Sequence, residues 1–88
     1  MLVLPDVITQ ANAVACLAAL SKELPGQAAA EVDAAKLSRF DSAALALLLE
    51  VRRQALKLGK KFVLKGAPQR LQDLAALYGI TELLSSQP

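Results

Sequence analysis

Hydrophobic residues recur with different spacings along the chain, and each spacing predicts an element. An apolar run at residues 1–4 stops at Pro5 and predicts a short strand. Apolar residues at helical spacing over residues 10–24 predict a first helix, for which Thr9 is the candidate N-cap. Gly26 follows as a breaker, so the first helix is expected to end before it.

The middle of the chain carries a weak strand signal followed by the strongest helix signal. Residues 28–34 alternate poorly, but they lie between two helices, where a βαβ unit needs a strand. Residues 42–58 are amphipathic, and Gly59 ends them at the usual C-terminal position. The core-facing stripe of this main helix is predicted to contain Ala44, Leu48, Val51, Ala55 and Leu58.

A third strand and a third helix are predicted in the last third of the chain. Residues 60–65 alternate charged and apolar side chains, as a half-buried strand does. Pro68 fits the first position of a helix that Gly79 closes. The predicted core stripe of this helix is Leu71, Leu74, Ala75 and Tyr78. Residues 80–84 are expected to cover the sheet or to pair with another segment, and residues 85–88 to be disordered.

The order of these elements indicates the fold class. Strands and helices alternate three times, which is typical of an α/β fold with a small, mostly parallel or mixed sheet and right-handed crossovers. A chain of 88 residues is long enough for one domain, and we predict that this domain spans residues 1–84.

Composition and charge narrow the choice of partners. Hydrophobic residues make up 55 % of the chain, a high share for so small a domain. Two interpretations stay open: alanine-rich helices raise the share without demanding burial, or part of the apolar surface binds a partner. The surplus, with an open sheet edge, predicts self-association of the isolated domain. The net charge of +2 with interspersed signs provides no basic face, so nucleic acid is not an expected partner.

Residue types that catalyse reactions or bind metals are scarce. The chain has no histidine and one cysteine, Cys16, so neither a zinc cluster nor a Ser-His-Asp triad can form. The carboxylates are scattered, and the four glycines mark turns rather than a phosphate-binding loop. We therefore predict a non-enzymatic protein with no metal and no cofactor. Without a visible leader or an apolar run of membrane length, a cytoplasmic location without membrane insertion is expected.

The candidate site is the turn at Asp41-Ser42, where the main helix begins. Open α/β sheets meet ligands and partners at such strand-to-helix turns. On local sequence alone, one interpretation is an ordinary helix N-cap. The other is a contact or a phosphorylation site, because a hydroxyl at this point is exposed beside free backbone N–H groups and the positive end of the helix dipole.

A second candidate feature lies beside the core stripe of the main helix. Leu45, Leu49 and Leu56 fall together there, with Arg52 among them. Arg52 either lays its stem over these apolar neighbours or forms with them and Ser42 a docking face for a partner. Both interpretations stay open on the sequence.

The sequence around the turn resembles the signature of STAS domains. That signature is a buried strand ending in Asp, a few residues, and then Asp-Ser or Asp-Thr with two small residues that open a helix. Residues 30–45 follow it, with Asp33 and Asp41-Ser42 at the matching places. The downstream segments that continue the resemblance, and extend it over nearly the whole chain, are residues 45–49, 62–66 and 74–80.

Two branches of that family differ in function. In anti-sigma-factor antagonists a kinase phosphorylates the Ser or Thr after the Asp. In the MlaB-like (toluene-tolerance) group, which residues 44–49 and 74–80 resemble closely, the domain binds the cytoplasmic ATPase of a lipid-asymmetry ABC transporter. The resemblance therefore implies a regulatory or assembly subunit that is peripheral to the inner membrane through this ATPase and its membrane permease. Ser42 would be the functional position, and the antagonist is the alternative.

Two departures from the family pattern shape these expectations. Ala43 and Ala44 stand where both branches carry at least one glycine, which favours constitutive docking over a phosphorylation switch at Ser42. Residues 1–4 match what is usually the second strand of a STAS domain, so one sheet edge is expected to be open. A stand-alone small-molecule or nucleotide sensor is a third hypothesis, which only the fold supports.

Overall fold

Parallel strand pairs organise the fold, in a computed structural model that describes residues 1–84. The strands are β1 (Leu2–Val3), β2 (Val7–Ile8), β3 (Ala30–Asp33), β4 (Arg39–Phe40) and β5 (Phe62–Lys65). The helices are α1 (Ala13–Glu23), α2 (Ser42–Lys57), α3 (Gln69–Leu77) and α4 (Thr81–Leu84), and a 3₁₀ turn (Leu24–Gly26) follows α1. The predicted α/β class is confirmed. The tail predicted at residues 85–88 lies outside the described residues.

The central strand is β3, in a three-stranded parallel sheet of order β1-β3-β5. Val32 stands opposite Leu2 on one side and opposite Leu64 on the other. The first and third residues of β3 are buried, and the second and fourth are half-buried, as in a strand that packs one face on a core. The position of the segment between two helices, rather than its weak alternation, was thus the better guide to its structure.

A second parallel pair, β2 with β4, has no counterpart in the predicted order of elements. Ile8 lies opposite Phe40, and the N–H groups of Ser38 and Arg39 both donate to the Asp6 carbonyl at 2.8 and 3.0 Å. Each strand is two residues long, which is too short for an alternation to show in the sequence. The second strand of this pair, β4, leads directly into α2.

The first helix begins at Ala13, later than predicted, and Thr9 is not its N-cap. Asn12 occupies the N-cap position, but its side chain bonds backward along the chain. Its Oδ1 accepts from the Thr9 N–H at 2.8 Å, and its Nδ2 donates to the Val7 carbonyl at 2.8 Å. These bonds close a turn directly after β2 and hold the backbone between β2 and α1.

Two side chains that were predicted to lie in the core are exposed, and both stand at the C-terminal end of a helix. Leu58 and Tyr78 occupy the C-cap positions of α2 and α3, and they are 49 % and 56 % exposed. Helical periodicity stops at a C-cap, so a side chain there need not stay on the stripe of the helix. Pro68 takes the N-cap position of α3 rather than its first helical position.

One aliphatic core joins the sheet to the helices. Its largest fully buried side chains include Leu2, Leu4, Ile8, Val32, Leu48 and Val51. No polar or charged side chain is buried in residues 1–84. Residues 80–84 were expected to cover the sheet or to pair with another segment. Most of this segment instead forms α4, which packs against α2 and α3 and buries Leu84.

Lys60 holds the end of α1 against the start of β5. Its Nζ donates to the carbonyl oxygens of Leu24 at 3.0 Å and Pro25 at 2.9 Å, and also to that of Gln27. Carbonyl groups at the C-terminal end of a helix lack intrahelical partners, and an ammonium satisfies them while complementing the helix dipole.

Replacing Lys60 is expected to destabilise the fold. Lys60→Met keeps the apolar stem but leaves three carbonyls without their charged donor, so the free energy of unfolding should fall by about 2 kcal/mol. Urea unfolding monitored by circular dichroism measures this. Lys61→Met is the matched control, because Lys61 is exposed and is not part of this contact; equal losses in both variants would contradict the assignment.

Glu50 is the anion of a small network on the outer face of α2. It accepts from Arg53 Nε at 2.8 Å and from Gln54 Nε2 at 3.0 Å. The hydrogen bonds from Arg53 and then from Gln54 lower the pKa of the Glu50 carboxyl from 4.5 to about 2. The network stabilises the helix only while this carboxyl is ionised.

The contribution of Glu50 should therefore depend on pH. Because its pKa is depressed in the folded state, the stabilisation is fully present above pH 4.5 and is lost as the pH falls toward about 2. Glu50→Gln should lower the urea midpoint slightly at pH 7, since exposed ion pairs contribute little, and by less at pH 2, where about half of the Glu50 carboxyl groups are protonated. A difference between wild type and Glu50→Gln that persists unchanged at pH 2 would refute this; Glu23→Gln is the control for loss of an exposed carboxylate.

Candidate partner-binding site at the Asp41-Ser42 turn

The Asp41 carboxylate fixes the turn through both of its oxygens. Oδ1 accepts from the Ala43 N–H at 2.8 Å and so caps α2, which confirms the N-cap interpretation. Oδ2 accepts from the Gln10 N–H at 3.1 Å, in the turn before α1. The Asp41 N–H donates to the Ile8 carbonyl at 3.3 Å, which continues the β2–β4 pairing. Asp41 thus joins the start of α2 to a turn 31 residues earlier in the chain.

Ser42, the first residue of α2, is exposed at the rim of an open groove. The groove has a volume of about 510 Å³ and runs between the start of α2 and one side of α3. Its lining residues are Phe40, Asp41, Ser42, Arg70, Asp73, Leu74, Leu77 and Tyr78. The predicted contact residue therefore lies on a surface that contains aromatic, aliphatic and charged groups.

Two charged side chains of the groove, Arg70 and Asp73, each contact a different neighbour. The Arg70 guanidinium carbon lies 5.2 Å from the centre of the Phe40 ring, within the range of a cation–π contact. Asp73, one turn further along α3, accepts a hydrogen bond from Gln69 Nε2 at 2.9 Å. Neither of the ion pairs found within residues 1–84 includes Arg70.

The apolar residues of the groove are unusually exposed for their size. Leu77 is 78 % exposed and Tyr78 is 56 % exposed. Leu71 and Ala75 of the predicted α3 stripe do face the core, and Leu74 is half-buried at the groove. Tyr78, predicted as a core residue, is instead part of the surface next to Ser42.

The predicted docking face on α2 is only partly on the surface. Leu45 is 2 % exposed and belongs to the core, so its assignment to this face is wrong. Leu49 is half-buried and packs against the core, Arg52 is partly exposed, and Leu56 is 53 % exposed. Because α2 packs against α1 as well as the strands, its buried face is wider than one stripe and includes Leu45.

Sequence reasoning found Asp41 and Ser42 but missed the α3 side of the groove. Phe40 and Arg70 come together only through folding, so no local pattern signals their contact. A signal did exist for Leu77: it directly precedes the predicted end of the helix and lies off the core stripe.

Three further properties of the described residues concern metal binding, the cysteine thiol and membrane spans. Within residues 1–84 there is no group of three or more His, Cys, Asp or Glu that could hold a metal ion. Cys16 is half-buried against the core, and burial raises the pKa of its thiol, which disfavours the reactive thiolate. In the same part of the chain, no helix has both the length and the apolar character needed to cross a membrane.

The double role of Asp41 can be tested by substitution. Asp41→Ala loses the helix cap and the bond to Gln10, so the free energy of unfolding should fall by about 1–2 kcal/mol. Asp41→Asn keeps an oxygen for the Ala43 N–H, but its amide nitrogen cannot accept from Gln10, so its loss should be smaller. Urea unfolding gives both values. Asp6→Ala, which removes an exposed carboxylate that makes no side-chain hydrogen bond in residues 1–84, is the control. A loss no larger than that of Asp6→Ala would contradict the role.

Comparison with known proteins places the chain in a family. No curated protein matches it. A family model described as Mlab, STAS domain matches residues 1–85, which include every described strand and helix. STAS domains are in general non-catalytic binding or regulatory domains. The match extends over almost the full sequence, with Asp41-Ser42 at the helix start that the signature requires, and the chain therefore belongs to the STAS domain family.

Proposed function

We propose that this chain is a non-enzymatic regulatory or assembly subunit of a bacterial lipid-asymmetry (phospholipid or toluene-tolerance) ABC transporter. In this role it binds the cytoplasmic ATPase of the transporter through the surface around Ser42. The family model, described as Mlab, supports the choice of branch. The observation that carries the proposal is the exposed Ser42 hydroxyl, held at the start of α2 beside exposed apolar side chains.

The geometry of the turn favours binding over chemistry. Both Asp41 oxygens accept backbone hydrogen bonds, so this carboxylate is committed to holding the turn. A serine nucleophile needs an adjacent base, which is most often histidine, and the chain has no histidine. An exposed hydroxyl at a groove lined by apolar and charged side chains instead has the character of an interface contact.

The proposal also assigns a location. The subunit would lie at the cytoplasmic face of the inner membrane, held there by the ATPase and its membrane permease rather than by a membrane span of its own. Leu49, Arg52 and Leu56, which lie further along α2, are proposed as secondary contacts, without Leu45.

An anti-sigma-factor antagonist switched by phosphorylation of Ser42 is the second candidate. The observation that favours it is the position of Ser42 at the first residue of a sixteen-residue helix, where the dipole stabilises a phosphate. Ala43 and Ala44 in place of the family glycine weigh against it.

Co-purification with the transporter components tests the proposal. We expect the full chain, co-expressed with the ATPase and permease of its own organism, to be recovered with the ATPase. Ser42→Glu should lower this recovery by about tenfold or more, because it places a charge at the contact. Ala18→Glu, which adds the same charge at an exposed position of α1, is the control. Recovery of a serine kinase, with no binding to the ATPase, would overturn the proposal in favour of the antagonist.

A further inference from the structure

We propose that the edge of the domain where α1 and α2 end and β5 begins binds an anionic phospholipid surface. This basic edge consists of Lys22, Lys57, Leu58 and Lys61, all of them exposed. Its lysines contact the lipid phosphates, and Leu58 enters the boundary between headgroups and acyl chains. The inference goes beyond the proposed function, because it needs no ATPase and uses the end of α2 away from Ser42.

The net charge of +2 hides an uneven distribution of charge along the chain. Residues 51–72 contain no Asp or Glu and seven of the ten cations, which are Arg52, Arg53, Lys57, Lys60, Lys61, Lys65 and Arg70. Lys65 and Arg53 form the two ion pairs found within residues 1–84. Lys57 and Lys61 belong to neither pair, and both are exposed. Their charge is therefore available to an anionic partner.

Folding brings the end of α1 to the same edge. Lys60 Nζ, just before β5, donates to the carbonyl oxygens of Leu24 and Pro25, which follow α1, at 3.0 and 2.9 Å. Exposed Lys22, in the last turn of α1, therefore joins the lysines at the end of α2. Glu23 adds a carboxylate to this edge, but the lysines outnumber it. The edge as a whole is positively charged.

An exposed apolar side chain stands among these lysines. Leu58 is 49 % exposed at the C-cap of α2, and Gly59 turns the chain directly after it with a φ of +72°. A lysine in the last turn of a helix complements the helix dipole, which accounts for Lys57. The dipole does not account for Lys61, which lies beyond the helix, or for an exposed leucine between two cations.

The mixture of lysine and leucine fits a lipid surface better than it fits nucleic acid. Each lysine close to an anionic bilayer strengthens binding by about fivefold, and leucine gains by leaving water at the headgroup boundary. Proteins that bind single-stranded nucleic acid instead stack exposed aromatic rings on the bases. Phe62, the aromatic residue of the basic segment 51–72, is buried.

Vesicle flotation with the purified full chain tests the inference. We expect wild type to float with phosphatidylcholine vesicles that contain about one third phosphatidylglycerol, and not with phosphatidylcholine alone. Replacing both lysines, Lys57→Gln with Lys61→Gln, should weaken this binding by about 25-fold, and Leu58→Ser by about fivefold. Raising the salt concentration to about 0.5 M should release the wild type, because exposed charges are then screened.

Two matched control variants lie at the opposite end of the domain. Lys36→Gln removes an exposed lysine beyond the carboxyl end of β3, and Val14→Ser removes an 82 % exposed apolar side chain from the first turn of α1. Both should float like wild type. Lys60 is kept because it holds the backbone after α1, and Leu56 because it is a proposed contact of the ATPase. Circular dichroism should show that every variant is folded, since each replaced side chain is exposed.

Several results would overturn the inference. They are no binding to the phosphatidylglycerol vesicles, binding that the double lysine variant or Leu58→Ser leaves unchanged, and an equal loss in Lys36→Gln. Binding of an oligonucleotide or an acidic protein through the same lysines, without binding to vesicles, would also overturn it.

The vesicle assay contains no ATPase, so its result is independent of the proposed function. Ser42→Glu should lower recovery with the ATPase and still float like wild type. Loss of vesicle binding in the double lysine variant should leave recovery with the ATPase unchanged.

Discussion

The two hydrogen bonds that the Asp41 carboxylate accepts hold the candidate site in place. One comes from Ala43 in the first turn of α2, and the other from Gln10 in the turn before α1. The β2–β4 pair that leads into this point has only two residues in each strand, too few to hold the segments firmly alone. The Asp41 side chain therefore adds to the backbone bonds of this pair and holds the backbone at the start of α2 against the turn before α1.

Much of the fold followed from the spacing of apolar residues. The main helix, β5 and the α3 stripe at Leu71 and Ala75 could be predicted because each repeats its pattern over several residues. The pairing of β2 with β4 could not, because it joins two-residue segments about thirty positions apart. The burial of Leu45 was missed for a different reason: a helical wheel shows a stripe, but it does not show that α1, α3 and α4 all pack against α2.

The candidate site also contains residues that could be predicted from the sequence and residues that could not. Asp41 and Ser42 could be found from sequence, because a helix start requires a cap and the family signature marks the same residues. The other wall of the groove depends on the way α3 packs beside β4, which brings Arg70 over Phe40. Tyr78 has the spacing of a core residue, yet α3 ends one residue earlier, and its side chain remains on the surface.

Ala43 and Ala44 fit the partner-binding surface proposed for the start of α2. Ala44 is fully buried, so its methyl group fills core space that a glycine would leave empty. Alanine also favours the helix by about 1 kcal/mol relative to glycine, which keeps the first turn of α2 ordered. An ordered turn adds no ordering cost when a partner binds, whereas a switch gains from a turn that changes conformation. Residues that stiffen the start of α2 thus suit a subunit that stays bound to its partner.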